Sequence, residues 1–317
     1  MTIAFVFPGQ GSQSVGMLDA FAGNPVVADV LARADEALGE SLSGLIAGGP
    51  AESLGLTVNT QPAMLVAAYA CCAAWRAAGG PGAAAVAGHS LGEYTALVAA
   101  EVLTLEEAVR LVRLRATAMQ EAVPVGTGGM AVIMGLDDDA VRQACAAAAL
   151  PGEVVEAVNF NAPAQVVIAG HKPAVERACA KAKESGAKRA LPLPVSAPFH
   201  SSLLVPAGER LRRALADLTL RTPTIPLVNN VDVAVQTEPA LIIDALVRQS
   251  FSPVRWVEVV QRLKAMGIDR VIEFGPGKVL TGLIPRIDKS IQAFAVHDPA
   301  SLEATLAALR EIPGASA

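Results

Sequence analysis

The run Gly88-His89-Ser90-Leu91-Gly92 has the spacing G-x-S-x-G. It follows a short apolar stretch, 83–87, and precedes a strongly helical one, 91–101. That strand–turn–helix context suits a nucleophile elbow, in which Ser90 stands on a tight turn with its hydroxyl facing a substrate. Gly88 and Gly92 let neighbouring backbone approach closely. The free N–H groups of the new helix favour negative charge developing beside the serine. The same pattern would also serve a glycine-rich strand–helix turn with Ser90 as N-cap.

A serine at neutral pH needs a group that takes its proton. The chain has four histidines. His89 adjoins Ser90, where an elbow turns the side chain away, and suits packing or hydrogen bonding. His171 opens a helix and is expected to be exposed. His297 precedes Asp298-Pro299 near the end of a predicted strand. His200 lies in Ser196-Ala197-Pro198-Phe199-His200-Ser201-Ser202, a loop leading into a helix. His200 and His297 both remain candidates, with His200 better placed at a join between two domains, where ligand clefts form.

Arg115 lies four positions after Leu111, on or beside the apolar face of a helix, whereas Arg113 points elsewhere. An inward arginine needs an anion, either a substrate carboxylate or a structural Asp or Glu. Gln10 follows the first strand, and in an open α/β sheet such a strand end faces the ligand crevice. Its amide could pair with that of Leu91 as an oxyanion hole. Gly9, Gly11 and Ser12 lack dinucleotide-fingerprint spacing, and Gly275-Pro276-Gly277-Lys278 lacks the upstream glycine and following Ser/Thr of a P-loop.

The elements that must position these residues alternate. Apolar runs at 3–7, 83–87, 226–228, 270–274 and 292–296 predict strands. Helical patterns fall at 26–38, 62–77, 91–101, 105–121, 202–216, 239–248 and 256–266. Such alternation predicts an α/β domain with a mainly parallel sheet. Residues 124–195 read differently: strand 130–134, helix 137–148, strands 154–158 and 165–169 around a turn cluster 159–163, helix 172–185 and strand 189–195. That βαββαβ order is ferredoxin-like. The expected organisation is a discontinuous large domain, 1–123 and 196–317, with a small insert, 124–195.

Of the 317 residues, 52% are hydrophobic, enough for a core without staples. The net charge of −5 and the lack of a Lys/Arg block argue against nucleic acid or an anionic membrane as partner. The N-terminus reads as a strand, not a signal peptide, and the apolar stretch 63–75 is too short to span a bilayer. Cys71, Cys72, Cys145 and Cys179 show no zinc-ligand spacing and suit buried thiols in a reducing cytosol. A cytoplasmic protein without metal or cofactor is expected.

Taken together, several motifs resemble those of malonyl-CoA:acyl carrier protein transacylases and, more broadly, the acyltransferase domains of fatty-acid and polyketide synthases. They are Phe7-Pro8-Gly9-Gln10-Gly11-Ser12-Gln13, Asn59-Thr60-Gln61-Pro62-Ala63, Gly88-His89-Ser90-Leu91-Gly92-Glu93-Tyr94, Arg115, Asn159-Phe160-Asn161 with Gln165–Gly170, Phe199-His200, and Glu273–Leu280. The resemblance spans nearly the whole chain and implies a hydrolase-like large domain. It implies Ser90 as nucleophile, His200 as base oriented by the Gln249 carbonyl, and the Gln10 and Leu91 amides as oxyanion hole. Arg115 would hold the malonyl carboxylate, and His89, Met130, Asn159, Asn161 and Phe199 would line the pocket. Phe199 before the histidine resembles the malonyl-selecting form; the methylmalonyl-selecting form has serine there. The implied partners are malonyl-CoA and acyl carrier protein, met by a monomer. The carrier could instead serve polyketide synthesis or malonate decarboxylation. A serine esterase or thioesterase using His297 with Asp269 or Asp244, and a non-catalytic subunit, are the rival readings. Lys181, Lys183, Lys188 and Arg189 could dock an acidic carrier or merely form a solvated face.

Overall fold

The computed structural model describes residues 1–310. Strand β1 (Ile3–Phe7) is followed by helices α1 (Pro25–Leu38), α2 (Leu42–Gly48), α3 (Ala51–Leu54) and α4 (Thr57–Ala77), then β2 (Ala85–Gly88), α5 (Gly92–Ala99) and α6 (Leu105–Glu121). Next come β3 (Gly128–Met134), α7 (Asp138–Ala148), β4 (Val155–Ala162), β5 (Gln165–His171), α8 (Lys172–Glu184) and β6 (Arg189–Pro192). The chain returns through α9 (Val205–Ala216), β7 (Leu227–Val228), α10 (Pro239–Gln249), α11 (Trp256–Ala265), β8 (Arg270–Phe274), α12 (Val279–Ile287), β9 (Gln292–Val296) and α13 (Pro299–Arg310).

Five strands form a parallel sheet in the order β7-β2-β1-β8-β9. Apart from the edge strand β9 it is buried on both faces, which is why its strands read as continuous apolar runs. Ile3, Phe5 and Phe7 pack into one layer with α4 and Trp75, while Ala4 and Val6 pack into the other with Trp256, Val259 and Ile284. Each buried ring or branched chain contributes roughly 1.5–3 kcal/mol. The chain leaves β1 for β2 on one side and later places β8 on the other, so the carboxyl end of β1 is a switch point, where open α/β sheets bind ligands.

The second sheet is antiparallel, in the order β4-β5-β3-β6. With α7 and α8 it has the βαββαβ order expected. Ala131 and Ile133 of β3 face those helices, and Met130 and Val132 face the other way, toward Met119 and Phe199. The alternation of one strand thus supplies both a module core and one wall of the cleft.

Three expectations change. Helix α4 starts at Thr57, ahead of the expected Pro62, because the Asn59 and Thr60 side chains bond back to the Ser53 and Leu54 carbonyls and hold the extra turn. The cluster 159–163 is not a turn up to its end: β4 runs through Ala162 with two irregularities, and the reversal falls at Pro163-Ala164. Phe160 N–H donates to Val254 C=O (3.0 Å) and Val254 N–H to Val158 C=O (2.8 Å), so pairing with the large domain overrides local turn propensity. Strand β6 stops at Pro192, short of the expected Val195. Helix α12 follows Gly275-Pro276-Gly277-Lys278, read as a strand-to-helix turn, whereas α2, α3 and α13 were not anticipated. Residues 311–317 of the expected large domain lie outside the described residues. Among the described residues no helix is long and apolar enough to cross a membrane.

Candidate active site

Strands β1 and β2 lie side by side and end together, so Pro8-Gly9-Gln10 and His89-Ser90 emerge at one place. The His89 N–H donates to the Phe7 carbonyl at 3.0 Å, tying the turn to the neighbouring strand end. The backbone reverses at Ser90 with φ 51°, a left-handed conformation that costs about 1–3 kcal/mol outside glycine. The surrounding packing enforces it. A Cβ at Gly92 would lie 2.0 Å from the Phe7 carbonyl oxygen, and one at Gly88 would lie 1.9 Å from the Gly92 carbonyl carbon. Neither position accepts a side chain.

His200 stands on the segment that returns from β6, also at positive φ (66°), and is buried. Its Nε2 is 2.7 Å from Ser90 Oγ and its Nδ1 is 2.8 Å from the Gln249 carbonyl oxygen. A carbonyl only accepts, so Nδ1 carries the proton and Nε2 offers its lone pair to the Ser90 hydroxyl. Burial, reinforced by the Arg115 charge, pushes the His200 pKa down to about 3. The imidazole is therefore neutral and able to accept at neutral pH.

Arg115 is 2% exposed on α6. Its Nη1 donates to Gln61 Oε1 (2.6 Å), and its Nη2 donates to Gln249 Oε1 (3.0 Å) and Ser90 Oγ (3.2 Å). The Tyr94 ring lies 5.2 Å from its Cζ. Among the described residues no carboxylate pairs with it, and its buried Nε has no partner. The structural Asp or Glu partner envisaged as an alternative is absent there. Burial lowers the Arg115 pKa, yet a guanidinium stays charged in proteins. The result is a desolvated cation beside a nucleophile, poised for an anion. Arg113 instead turns out to Asn59 and Glu40.

These groups open into a cavity of about 320 Å³. Gln10, His89, Ser90, Leu91, Arg115, Met130, Asn159, Asn161, Phe199 and His200 all line it, with Gln61, Met119 and Leu193. Among the described residues the N–H groups of Gln10 and Leu91 donate to no protein acceptor. His89 Nε2 donates to Asn161 Oδ1 at 2.8 Å, which turns its ring from Ser90 toward the small sheet.

The alternative residues lie elsewhere. His297 sits by Asp298 (3.5 Å) past the end of β9. Asp269 binds Thr2 N–H and Arg270, and Asp244 binds Arg248, so no carboxylate–His297–Ser90 triad forms. His171 is half-buried and accepts the Val154 N–H. Lys181, Lys183, Lys188 and Arg189 are exposed, Lys181 pairing with Glu184. The four cysteines are free and buried. Among the described residues no cluster of His, Cys, Asp and Glu could hold a metal.

Four side chains that sequence reasoning left without a role pack around the dyad: Gln61, Glu93, Asn230 and the carboxamide of Gln249. Gln61 and Glu93 sat inside motifs already singled out. Asn230 follows β7, the strand next to β2, and the strand-end rule could have found it. Asn230 Oδ1 accepts the Ser90 N–H (2.7 Å) and its Nδ2 donates to the Gly88 carbonyl (2.7 Å). Gln249 Nε2 donates to the Ser90 carbonyl and to Glu93 Oε2, both at 2.9 Å. Burial pushes the Glu93 carboxyl up to about 7 against these donors.

Residues 4–301 match the family described as acyl transferase domain. The malonyl CoA-acyl carrier protein transacylase of Salmonella typhimurium is 55% identical over 96% of this chain and 98% of its own. The crystal structure of an acyl-carrier-protein S-malonyltransferase from Burkholderia pseudomallei superposes with a TM-score of 0.95 at 62% identity, covering 97% of this chain and 100% of that one. A malonyl-transacylase, solved in complex with a type II polyketide-synthase acyl carrier protein, has a TM-score of 0.95 at 49% identity, covering 97% of this chain and 100% of that one. With its two sheets, its elbow serine and a family match spanning almost all of its length, this chain belongs to the acyl transferase family.

Proposed function

We propose that this protein transfers the malonyl group of malonyl-CoA to the phosphopantetheine thiol of an acyl carrier protein, through a malonyl ester on Ser90. One observation carries the reading. The Ser90 hydroxyl lies 2.7 Å from a neutral, oriented imidazole and 3.2 Å from a buried guanidinium without a carboxylate of its own.

Ser90 Oγ attacks the thioester carbonyl while His200 Nε2 takes its proton. The oxyanion rests on the Gln10 amide past the end of β1 and the Leu91 amide at the start of α5. The tetrahedral adduct collapses, the C–S bond breaks, and the CoA sulfur leaves with the proton from His200. Arg115 holds the far carboxylate throughout, with charge-assisted bonds. The carrier thiol then gives its proton to His200 and attacks the ester. Ser90 recovers a proton as malonyl departs. No step calls on a metal or cofactor. The four free, buried cysteines accord with a cytoplasmic site of action, and fatty-acid synthesis is the natural consumer of the product.

Intact-mass measurement tests this. Incubation with malonyl-CoA should add one malonyl group to the wild-type protein and none to Ser90→Ala. Added carrier protein should strip the group and gain it. Release of free malonate in place of carrier malonylation would mark a hydrolase and overturn the reading.

A further inference from the structure

The dyad and Arg115 are held from behind by one buried oxygen. Glu93 lies in the first turn of α5, is 1% exposed, and is not among the residues that line the cavity. Its Oε2 accepts two N–H donors: the backbone of Asn230 (3.0 Å) and Nε2 of Gln249 (2.9 Å). Each donor leads to a different catalytic group. Asn230 is fully buried and its carboxamide spans the elbow, accepting from Ser90 N–H and donating to Gly88 C=O. It therefore clamps the peptide units on both sides of His89 and braces the positive φ at Ser90. Gln249 is also fully buried. Its Oε1 accepts from Arg115, its Nε2 also donates to the Ser90 carbonyl, and its backbone carbonyl accepts from His200 Nδ1.

We propose that Glu93 is a positioning residue whose Oε2, acting as a shared acceptor, sets the nucleophile through Asn230 and the substrate-carboxylate clamp through Gln249. The proposal rests on the roles assigned above to Ser90, His200 and Arg115. Buried donors with a single acceptor leave the alternative geometries unsatisfied, so one oxygen can hold two arms in register. The arms serve different steps. The Asn230 arm bears on any acyl donor, because every donor must meet Ser90. The Gln249 arm bears on donors with a free carboxylate, because it orients Arg115.

The test compares Glu93→Gln with Glu93→Met, two variants of similar volume. Three readouts are taken: single-turnover acylation by malonyl-CoA, the same by acetyl-CoA, and Ser90 inactivation by phenylmethylsulfonyl fluoride. Glutamine keeps an acceptor for both donors and should stay within about threefold of wild type. Methionine removes it, and loss of buried hydrogen bonds should cost about tenfold or more in inactivation and a further tenfold in malonyl-over-acetyl preference. Equal values for the two variants would overturn the proposal: equally high ones would mean that no acceptor is needed, and equally low ones that the charge matters and the acceptor does not.

Should Glu93→Met fail to fold, the arms are cut singly. Asn230→Ala should slow malonyl, acetyl and inactivation together, chiefly in kcat. Gln249→Met should raise KM for malonyl-CoA and lower the malonyl preference. The same pattern from both variants would refute the division. Absence of Ser90 labelling in the wild-type protein would instead sink the underlying assignment, so the two failures are distinguishable.

Discussion

Replacing Arg115 by alanine gives the sharpest test of how the site chooses its acyl group. The guanidinium is 2% exposed and donates to Gln61, Gln249 and Ser90 without a carboxylate partner. A malonyl carboxylate in the cavity completes the ion pair. Removing one partner of a buried, hydrogen-bonded pair costs roughly 3–5 kcal/mol. At about 1.36 kcal/mol per decade, kcat/KM for malonyl-CoA should fall by roughly 10²–10⁴. Acetyl-CoA places a methyl group against the same cation and gains nothing from it, so its rate should hold or rise. There is a second signature. Burial first, and the Arg115 charge second, depress the His200 pKa to about 3. Without the guanidinium that pKa moves up, and the acid limb of the acetyl-transfer profile should shift to higher pH. Quenched-flow acylation with each thioester from pH 2.5 to pH 8 reads both effects. A malonyl-to-acetyl ratio within threefold of wild type, or an unmoved acid limb, would refute the assignment.

Three further outcomes are expected. Gly92→Ala places a methyl 2.0 Å from the Phe7 carbonyl oxygen, so the elbow must shift; the variant should lose Ser90 labelling and about 1–3 kcal/mol of stability in urea melts. The Glu93 carboxyl is raised to about 7 from its usual 4.5 by burial. Between those values the unfolded chain releases a proton that the folded protein keeps, so this group's contribution to stability falls as pH rises. Relative to wild type, Glu93→Gln should gain on the order of 3 kcal/mol between pH 4 and pH 8, read from denaturation midpoints. Phe199 is buried and lines the cavity. Phe199→Ser should raise acceptance of methylmalonyl-CoA over malonyl-CoA by about tenfold or more in a competition assay.

Much of the fold was legible because its signals are local. The apolar runs of β1, β8 and β9 match their strands, and the βαββαβ order of the small module could be read from periodicity and turn residues alone. The elbow was legible for the same reason, since Gly88 and Gly92 mark a steric demand in the chain itself. Misplaced features were those decided at a distance. Asn159-Phe160-Asn161 has turn composition, yet β4 continues because Val254 pairs with it. Pro62 suggests a helix start, yet two side chains extend α4 backwards. The supports of the dyad were least legible. Asn230 is 140 positions from Ser90, the hydrogen bond joining them being a product of sheet order. Gln249 was expected only for its carbonyl, and spacing along a chain carries no information about where its carboxamide points.

The rung between β4 and Val254 has a mechanical consequence. Val254 lies five residues beyond Gln249, whose carbonyl holds the imidazole, and its partners Val158 and Phe160 flank Asn159 in the cavity wall. Two peptide hydrogen bonds thus rivet one lobe to the stretch of chain that aims the base. Swinging this lobe away to widen the mouth would have to break both bonds, each worth about 0.5–1.5 kcal/mol. A torque on the small sheet would be felt at the imidazole through this rung and at the elbow through the Asn161–His89 bond.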